Sequence, residues 1–192
     1  MNGAPVKTRR WSRLEYDRLI EDGFFHPAER LELLAGRLVV REPQGTPHAT
    51  GIRLVTHALR AVFGQGWNVD VHLPVALDDE SEPEPDVAVT AGAPRDYLAS
   101  HPGRPELVVE VAERTVAFDR REKGSLYARA RMPEYWILNL NDCMLETYRE
   151  PGPNASALHG WAYRTTQSLS VKGHVTPLAA PAARIAVADL LP

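Results

Sequence analysis

Two carboxylates and a lysine stand out for where they fall in the sequence. Glu110 interrupts the apolar run Leu107-Val108-Val109-Glu110-Val111-Ala112. Such a run reads as a buried strand, where a lone charge is costly unless it is paired or holds a cation. Side chains alternate along a strand. Leu107, Val109 and Val111 therefore share one face, and Val108, Glu110 and Ala112 share the other, which sets Glu110 among small apolar neighbours. Asp86 follows a proline in EPEPDVAVT, at the start of another short strand. If the two strands are neighbours, the carboxylates converge. Two carboxylates with a backbone carbonyl make a hard oxygen site suited to Mg²⁺ or Mn²⁺. Lys123 lies on the helix after the Glu110 strand, and Arg120, Lys123 and Tyr127 are spaced to form one helical stripe. A cation there orients a nucleophilic water or balances charge on a phosphate. Plainer readings stand beside these. Glu110 faces solvent or an arginine, Lys123 pairs with Asp119 at the surface, and Asp78, Asp79, Glu80, Glu82 and Glu84 are solvated loop charges.

The elements that position these residues follow from local signals. Ser12 with Glu15 makes a capping box, so a helix runs from about residue 13 to 22 and closes at Gly23. RLELLAGRLVV reads as a hairpin turning at Ala35-Gly36. Ile52, Val55, Leu59, Val62 and Phe63 recur at helical spacing, with Pro47 in the first turn and Gly64 or Gly66 at the end. WNVDVHLPVAL alternates as a half-buried strand, DDESEPEP is an acidic loop, and DVAVT and ELVVEVA are strands. AGAPRDYLASHPGRP is a loop with room for one helical turn. A helix spans about residues 118 to 131 and stops at Met132-Pro133. EYWILNL and MLETYRE pair around Asn141-Asp142, PGPNASALHG is a loop or hairpin tip, and WAYRTTQS is a further strand. The order favours an α/β or α+β sheet with helices on its faces and disfavours a doubly wound parallel sheet. There is no Gly-rich phosphate loop.

The chain of 192 residues reads as one domain over 1–192, with 1–11 flexible and 176–192 a Pro/Ala-rich tail packed along its surface. A net charge of -3 gives no global basic field. Between Glu113 and Arg131, however, six basic residues face three acidic ones, a modest local basic surface. The single Cys143 excludes an internal disulfide and a multi-cysteine zinc site, and fits a reducing cytoplasm. No apolar run is long enough to span a membrane, and no signal peptide is visible.

The set P-D, V-E-V on a strand, a helix carrying Lys and Tyr, and P-E-Y-W-I-L-N resembles the PD-(D/E)XK restriction-endonuclease-like superfamily. More narrowly, it resembles a family of short bacterial proteins described as restriction endonucleases, formerly a domain of unknown function. The likeness runs from RLELLAGRLVV through PHATGIRLV to VADLLP, and the block LVVEVAERTVAFDRREKGSLYARARMPEYWILNL is its most specific part. The resemblance implies a mixed β-sheet flanked by helices, with an N-terminal helix and hairpin. It also implies Mg²⁺- or Mn²⁺-dependent hydrolysis of phosphodiester bonds, with DNA as substrate. Asp86 and Glu110 would hold the metal with the carbonyl of Val111, and Glu32 would add a ligand. Lys123 would replace the lysine usual two residues after the acidic strand position, where this chain has Ala112. His48 matches a recurring histidine that either touches phosphate or simply caps; it stands with Arg120 and Tyr127 of the helical stripe as a candidate to face substrate. Cutting both strands needs two sites, which implies a homodimer. One departure is Glu113-Arg114-Thr115, where the family often has Ser-Pro-Ser. The competing reading is a catalytically inactive binding module that keeps the nuclease fold. The negative net charge favours it.

Overall fold

The computed structural model describes residues 8–26, 28–41 and 43–192. Of the segment expected to be flexible, residues 1–7 lie outside the described residues. Trp11 N–H donates to Gly36 O at 2.9 Å. Helix α1 (Arg13–Glu21) starts at the capping box, with Ser12 accepting from Glu15 N–H and Glu15 accepting from Ser12 N–H. It ends at Asp22, followed by Gly23 at φ +65°. Strands β1 (Leu31–Leu34) and β2 (Arg37–Val40) form the expected hairpin. Its two turn residues, Ala35 and Gly36, both take positive φ, as a tight hairpin turn of this twist requires.

α1 docks on the acidic loop, where one expectation fails. Glu82 is not a solvated loop charge: it is 3% exposed, since Leu33 bridges it from β1 and α1 covers it. Its Oε2 makes no hydrogen bond, and the nearest cation, Arg13 Nη1, stands 3.7 Å away. Burial, with the charge of Asp17 beside it, pushes the carboxyl up to about 7 against the pull of Arg13. The unfolded chain therefore loses this proton first. The penalty is absent at low pH, appears as pH rises past about 4.5 and is complete above about 7. Glu82→Gln is expected to flatten that window. It should be more stable than wild type at pH 8 by up to about 2–3 kcal/mol, and no more stable at pH 4. Guanidinium unfolding at the two pH values checks this, and an equal effect at both would sink it.

Helix α2 (Thr46–Val62) lies across a six-stranded sheet. The strand order is β3 (Trp67–Val71), β4 (Val87–Ala91), β5 (Leu107–Ala112), β6 (Glu134–Asn139), β7 (Met144–Pro153) and β8 (Trp161–Ser170). Every neighbouring pair is antiparallel except β5–β6, which is parallel. That one parallel step requires a crossover. The crossover is helical: α3 (Val116–Phe118), a π-helical stretch (Asp119–Lys123) and α4 (Gly124–Arg129). Strand β3 is shorter than the alternating pattern suggests, because His72 takes φ +52° directly after it. The loop after β4 makes one 3₁₀ turn, Pro94–Tyr97.

The two faces of β5 bury as the alternation predicts. Val109 and Val111 pack under Ile52, Val55 and Leu59 of α2, with Trp136 and Leu138 beside them. Val108 and Ala112 face Tyr127 and Ala128 of α4, with Tyr135 and Ile137. Each fully buried side chain of this size contributes about 1.5–3 kcal/mol. The tail goes deeper than surface packing. Ile185, in the short pair β9 (His174–Val175) with β10 (Ile185–Ala186), is buried with Val187 and Leu190 on the α2 face.

Glu134 ties the tail to the sheet. It is fully buried, and its Oε1 accepts from Trp136 Nε1 at 2.9 Å and from Arg149 Nε at 2.8 Å. Its Oε2 accepts from Leu178 N–H at 2.7 Å. Glu134→Ala strands the indole, an amide and a guanidinium together, at an expected cost of about 3–5 kcal/mol. Chemical denaturation checks this, and a loss under about 1 kcal/mol would show that water replaces the carboxylate.

Candidate active site

The site forms where β4 and β5 part. Their pairing stops at Val87 opposite Val109. Continuing the register by one residue brings Asp86 opposite Glu110, past the last ladder bond. Asp86 Oδ2 accepts the Val111 N–H at 2.8 Å, so the carboxylate takes a backbone donor that the ladder no longer uses. α2 can sit close over this end because Gly51 has no side chain. A Cβ there would stand 3.0 Å from Val111 Cγ1 and 3.4 Å from Leu138 Cδ2. One turn earlier on α2, His48 Nε2 reaches 3.2 Å from Asp86 Oδ2. That nitrogen is buried and makes no aligned hydrogen bond, although the residue is only half-buried.

Glu110 and Lys123, each 4% exposed, meet directly: Nζ donates to Oε1 at 2.9 Å. Tyr127 OH donates to the same oxygen at 2.8 Å. Glu32 Oε1, on β1, lies 3.2 Å from Lys123 Nζ. The cation beside Glu110 is thus Lys123 rather than an arginine, and Lys123 is not a surface partner of Asp119. Asp119 instead accepts from Thr115 Oγ1 at 2.5 Å.

The expected stripe of Arg120, Lys123 and Tyr127 is not formed. Gly124 N–H bonds back to Asp119 O, a π-helical turn that takes more residues than an α-turn. Arg120 is thereby rotated out of line and donates to Glu146 of β7, Nε to Oε2 at 2.9 Å. It borders a separate cavity with Trp161 and Tyr163. Tyr127 is fully buried, so it supports Glu110 and does not face a bound substrate.

Several residues at the site carried no signal in the sequence. Arg41 Nη2 stands 3.1 Å from Asp86 Oδ1, with Nη1 3.0 Å from Glu84 Oε2. His72 Nε2 lies 3.2 Å from Asp86 Oδ1 and 2.9 Å from Gln44 Nε2. None of the three lies in a motif; only folding brings them to Asp86. Asp119 had one available sign, its place four residues before Lys123.

Electrostatics distinguish the acids. Burial would raise Asp86, but contacts from His48 and His72 and the Val111 N–H outweigh it and hold the carboxyl well below the usual range. Burial pushes Glu110 up to about 8, helped by the charges of Asp86, Asp119 and Glu32 and opposed by Lys123. Burial and the same surroundings raise Asp119 to about 6. Lys123 is raised too, since Glu110, Glu32 and Asp119 outweigh its burial.

Glu32, His48, Asp86, Glu110, Asp119 and Lys123 line one cavity of about 800 Å³. Among its lining residues Glu32, Asp86, Glu110, Glu113 and Asp119 face Arg41, Arg114 and Lys123, five acids against three bases, a formal net charge of -2 with every carboxyl counted as ionised and histidines as neutral. Among the described residues no three His, Cys, Asp or Glu side chains already form a ligand cage. The donor set nonetheless suits a hard dication, being rich in carboxylate oxygen and short of positive charge.

Comparison with known proteins adds two findings. A family model described as "Uma2: Putative restriction endonuclease" matches residues 14–178. The crystal structure of a "putative nuclease belonging to DUF820" from Anabaena variabilis superposes with a TM-score of 0.65 at 15% identity, over 90% of this chain and 96% of that one. At that identity the likeness is one of fold. No curated protein sequence matches the chain.

Proposed function

The chain belongs to the Uma2 family of putative restriction endonucleases, and from that premise we propose that it is a divalent-metal-dependent endonuclease that hydrolyses phosphodiester bonds in DNA. The observation that carries this reading is the convergence of Glu32, Asp86, Glu110 and Lys123 at the parted ends of β4 and β5, inside one anionic cavity. Asp86 and Glu110, with the Val111 carbonyl and Glu32, would hold Mg²⁺ or Mn²⁺. That ion would make water more acidic and offset charge on the phosphate. The protein's own groups do the rest. Tyr127 fixes the Glu110 carboxylate, and the Val111 N–H fixes Asp86. Lys123 Nζ, between Glu110 and Glu32, is the donor that positions the attacking water. His48, at the cavity wall with its Nε2 3.2 Å from Asp86 Oδ2, is the imidazole placed to meet a phosphate oxygen.

One specific observation favours the competing reading of a binding module: protein cations already occupy Asp86 and Glu110. The test is nicking of supercoiled plasmid and of single-stranded DNA and RNA with Mg²⁺, with Mn²⁺ and with EDTA. Metal-dependent nicking supports the endonuclease. No cleavage with either ion, together with no Mn²⁺ uptake by calorimetry, would leave the module. Two-strand cleavage by one site per chain calls for a homodimer, which sedimentation of the protein with DNA would reveal. No described helix is long and apolar enough to cross a membrane.

A further inference from the structure

Among the described residues, Arg41 is the one cation at the site that touches three acids, Glu32 on β1 and Glu84 and Asp86 in the stretch that leads into β4. Its guanidinium reaches Asp86 at 3.1 Å, Glu84 at 3.0 Å and Glu32 at 3.8 Å. Its side chain is 9% exposed, so these contacts are made largely out of water. Its backbone is fixed directly after β2, where its N–H donates to Arg30 O at 2.7 Å. Lys123, in contrast, sits on Glu110 and Glu32 and does not touch Asp86.

Resting on the metal-dependent reading above, we infer that Arg41 is a built-in counter-ion that keeps the site closed, occupying Asp86 in place of the divalent cation and swinging out when the cation binds. Three physical points support this. A guanidinium does not lose its proton near neutral pH, so it cannot yield its place by titration. A dication on the same carboxylate oxygen would repel it at contact distance. The stem of an arginine is flexible while its backbone here is held, so the head can move within the 800 Å³ cavity without disturbing β2. There a phosphodiester offers the planar fork a two-oxygen acceptor.

The test is calorimetric titration of Mn²⁺ into wild type, Arg41→Gln and Arg41→Lys. Arg41→Gln should bind at least about tenfold more tightly than wild type, and Arg41→Lys within about threefold of it. An Arg41→Gln affinity equal to or below that of wild type overturns the inference and leaves the metal-dependent reading standing. No Mn²⁺ binding by any of the three overturns both. A second measurement avoids reliance on a variant that fails to fold. The ¹⁵Nε–H resonance of Arg41 in wild type, assigned by its loss in Arg41→Lys, should shift on saturation with Mg²⁺. A resonance that stays in place overturns the inference.

Discussion

Glu110→Gln is expected to lower metal-dependent DNA cleavage by on the order of 10²–10³-fold or more while leaving the fold intact. The amide matches the carboxylate in shape and keeps an oxygen for Lys123 and Tyr127. Packing against Val108 and Ala112 is therefore retained. What is lost is a charge at the place where the donor set must hold a dication. Lys123 keeps a carboxylate partner in Glu32 at 3.2 Å, which limits the stability cost. Cleavage rates measured beside circular dichroism and Mn²⁺ titration separate the two effects. Cleavage within threefold of wild type by a folded variant would remove Glu110 from the chemistry.

The second large effect is on stability. Lys123→Ala removes the cation that Glu110 and Glu32 share and leaves two buried acids without it, at an expected cost of about 3–5 kcal/mol. The cost depends on pH in a definite sense. Lys123 is the group that holds the Glu110 carboxyl down, so without it the carboxyl rises above its already high value of about 8. A carboxyl raised in the folded state costs nothing while both states are protonated. The penalty grows as pH climbs past about 4.5, where the unfolded chain ionises first. Wild type carries the same penalty up to about 8, so the deficit of Lys123→Ala against it should widen only above that, and be larger at pH 9.5 than at pH 7. Lys123→Met, which fills the space and lets Glu110 keep its proton, should lose less than the alanine variant. Urea unfolding of both variants at the two pH values is the measurement. An alanine deficit below about 1 kcal/mol, or one that shrinks with rising pH, would show that the buried pair does not hold the site together.

Much of the fold is written locally. Ser12 and Glu15 start α1 because a cap involves residues three apart. Ala35-Gly36 turns the first hairpin because only that dipeptide must take positive φ there. The alternation in ELVVEVA assigned both faces of β5 correctly, since a strand's period is a property of its own backbone. Local signals failed where packing decides. Glu82 looks like any acid in a polar loop until α1 lies over it. The tail from Thr176 looks like surface chain until Val187 and Leu190 enter the core under α2.

At the site the division is equally physical. The sequence alone determined that an acid stands inside a buried strand, that a second opens another short strand, and that a lysine follows on a helix; that the two strands are neighbours came from the fold. Residue type and period are one-dimensional facts. Only the tertiary structure decided which cation meets Glu110, because that depends on where the crossover lies and on the π-turn that aims Lys123 inward and Arg120 away. It alone brought Arg41, Gln44 and His72 to Asp86, from segments with no pattern linking them. The physical reason is that the site sits where a ladder ends. Pairing specifies positions along β4 and β5 up to Val87 and Val109. Beyond them side chains from the hairpin, α2 and the crossover fill the gap, and the charge balance among them is settled only when all are in place.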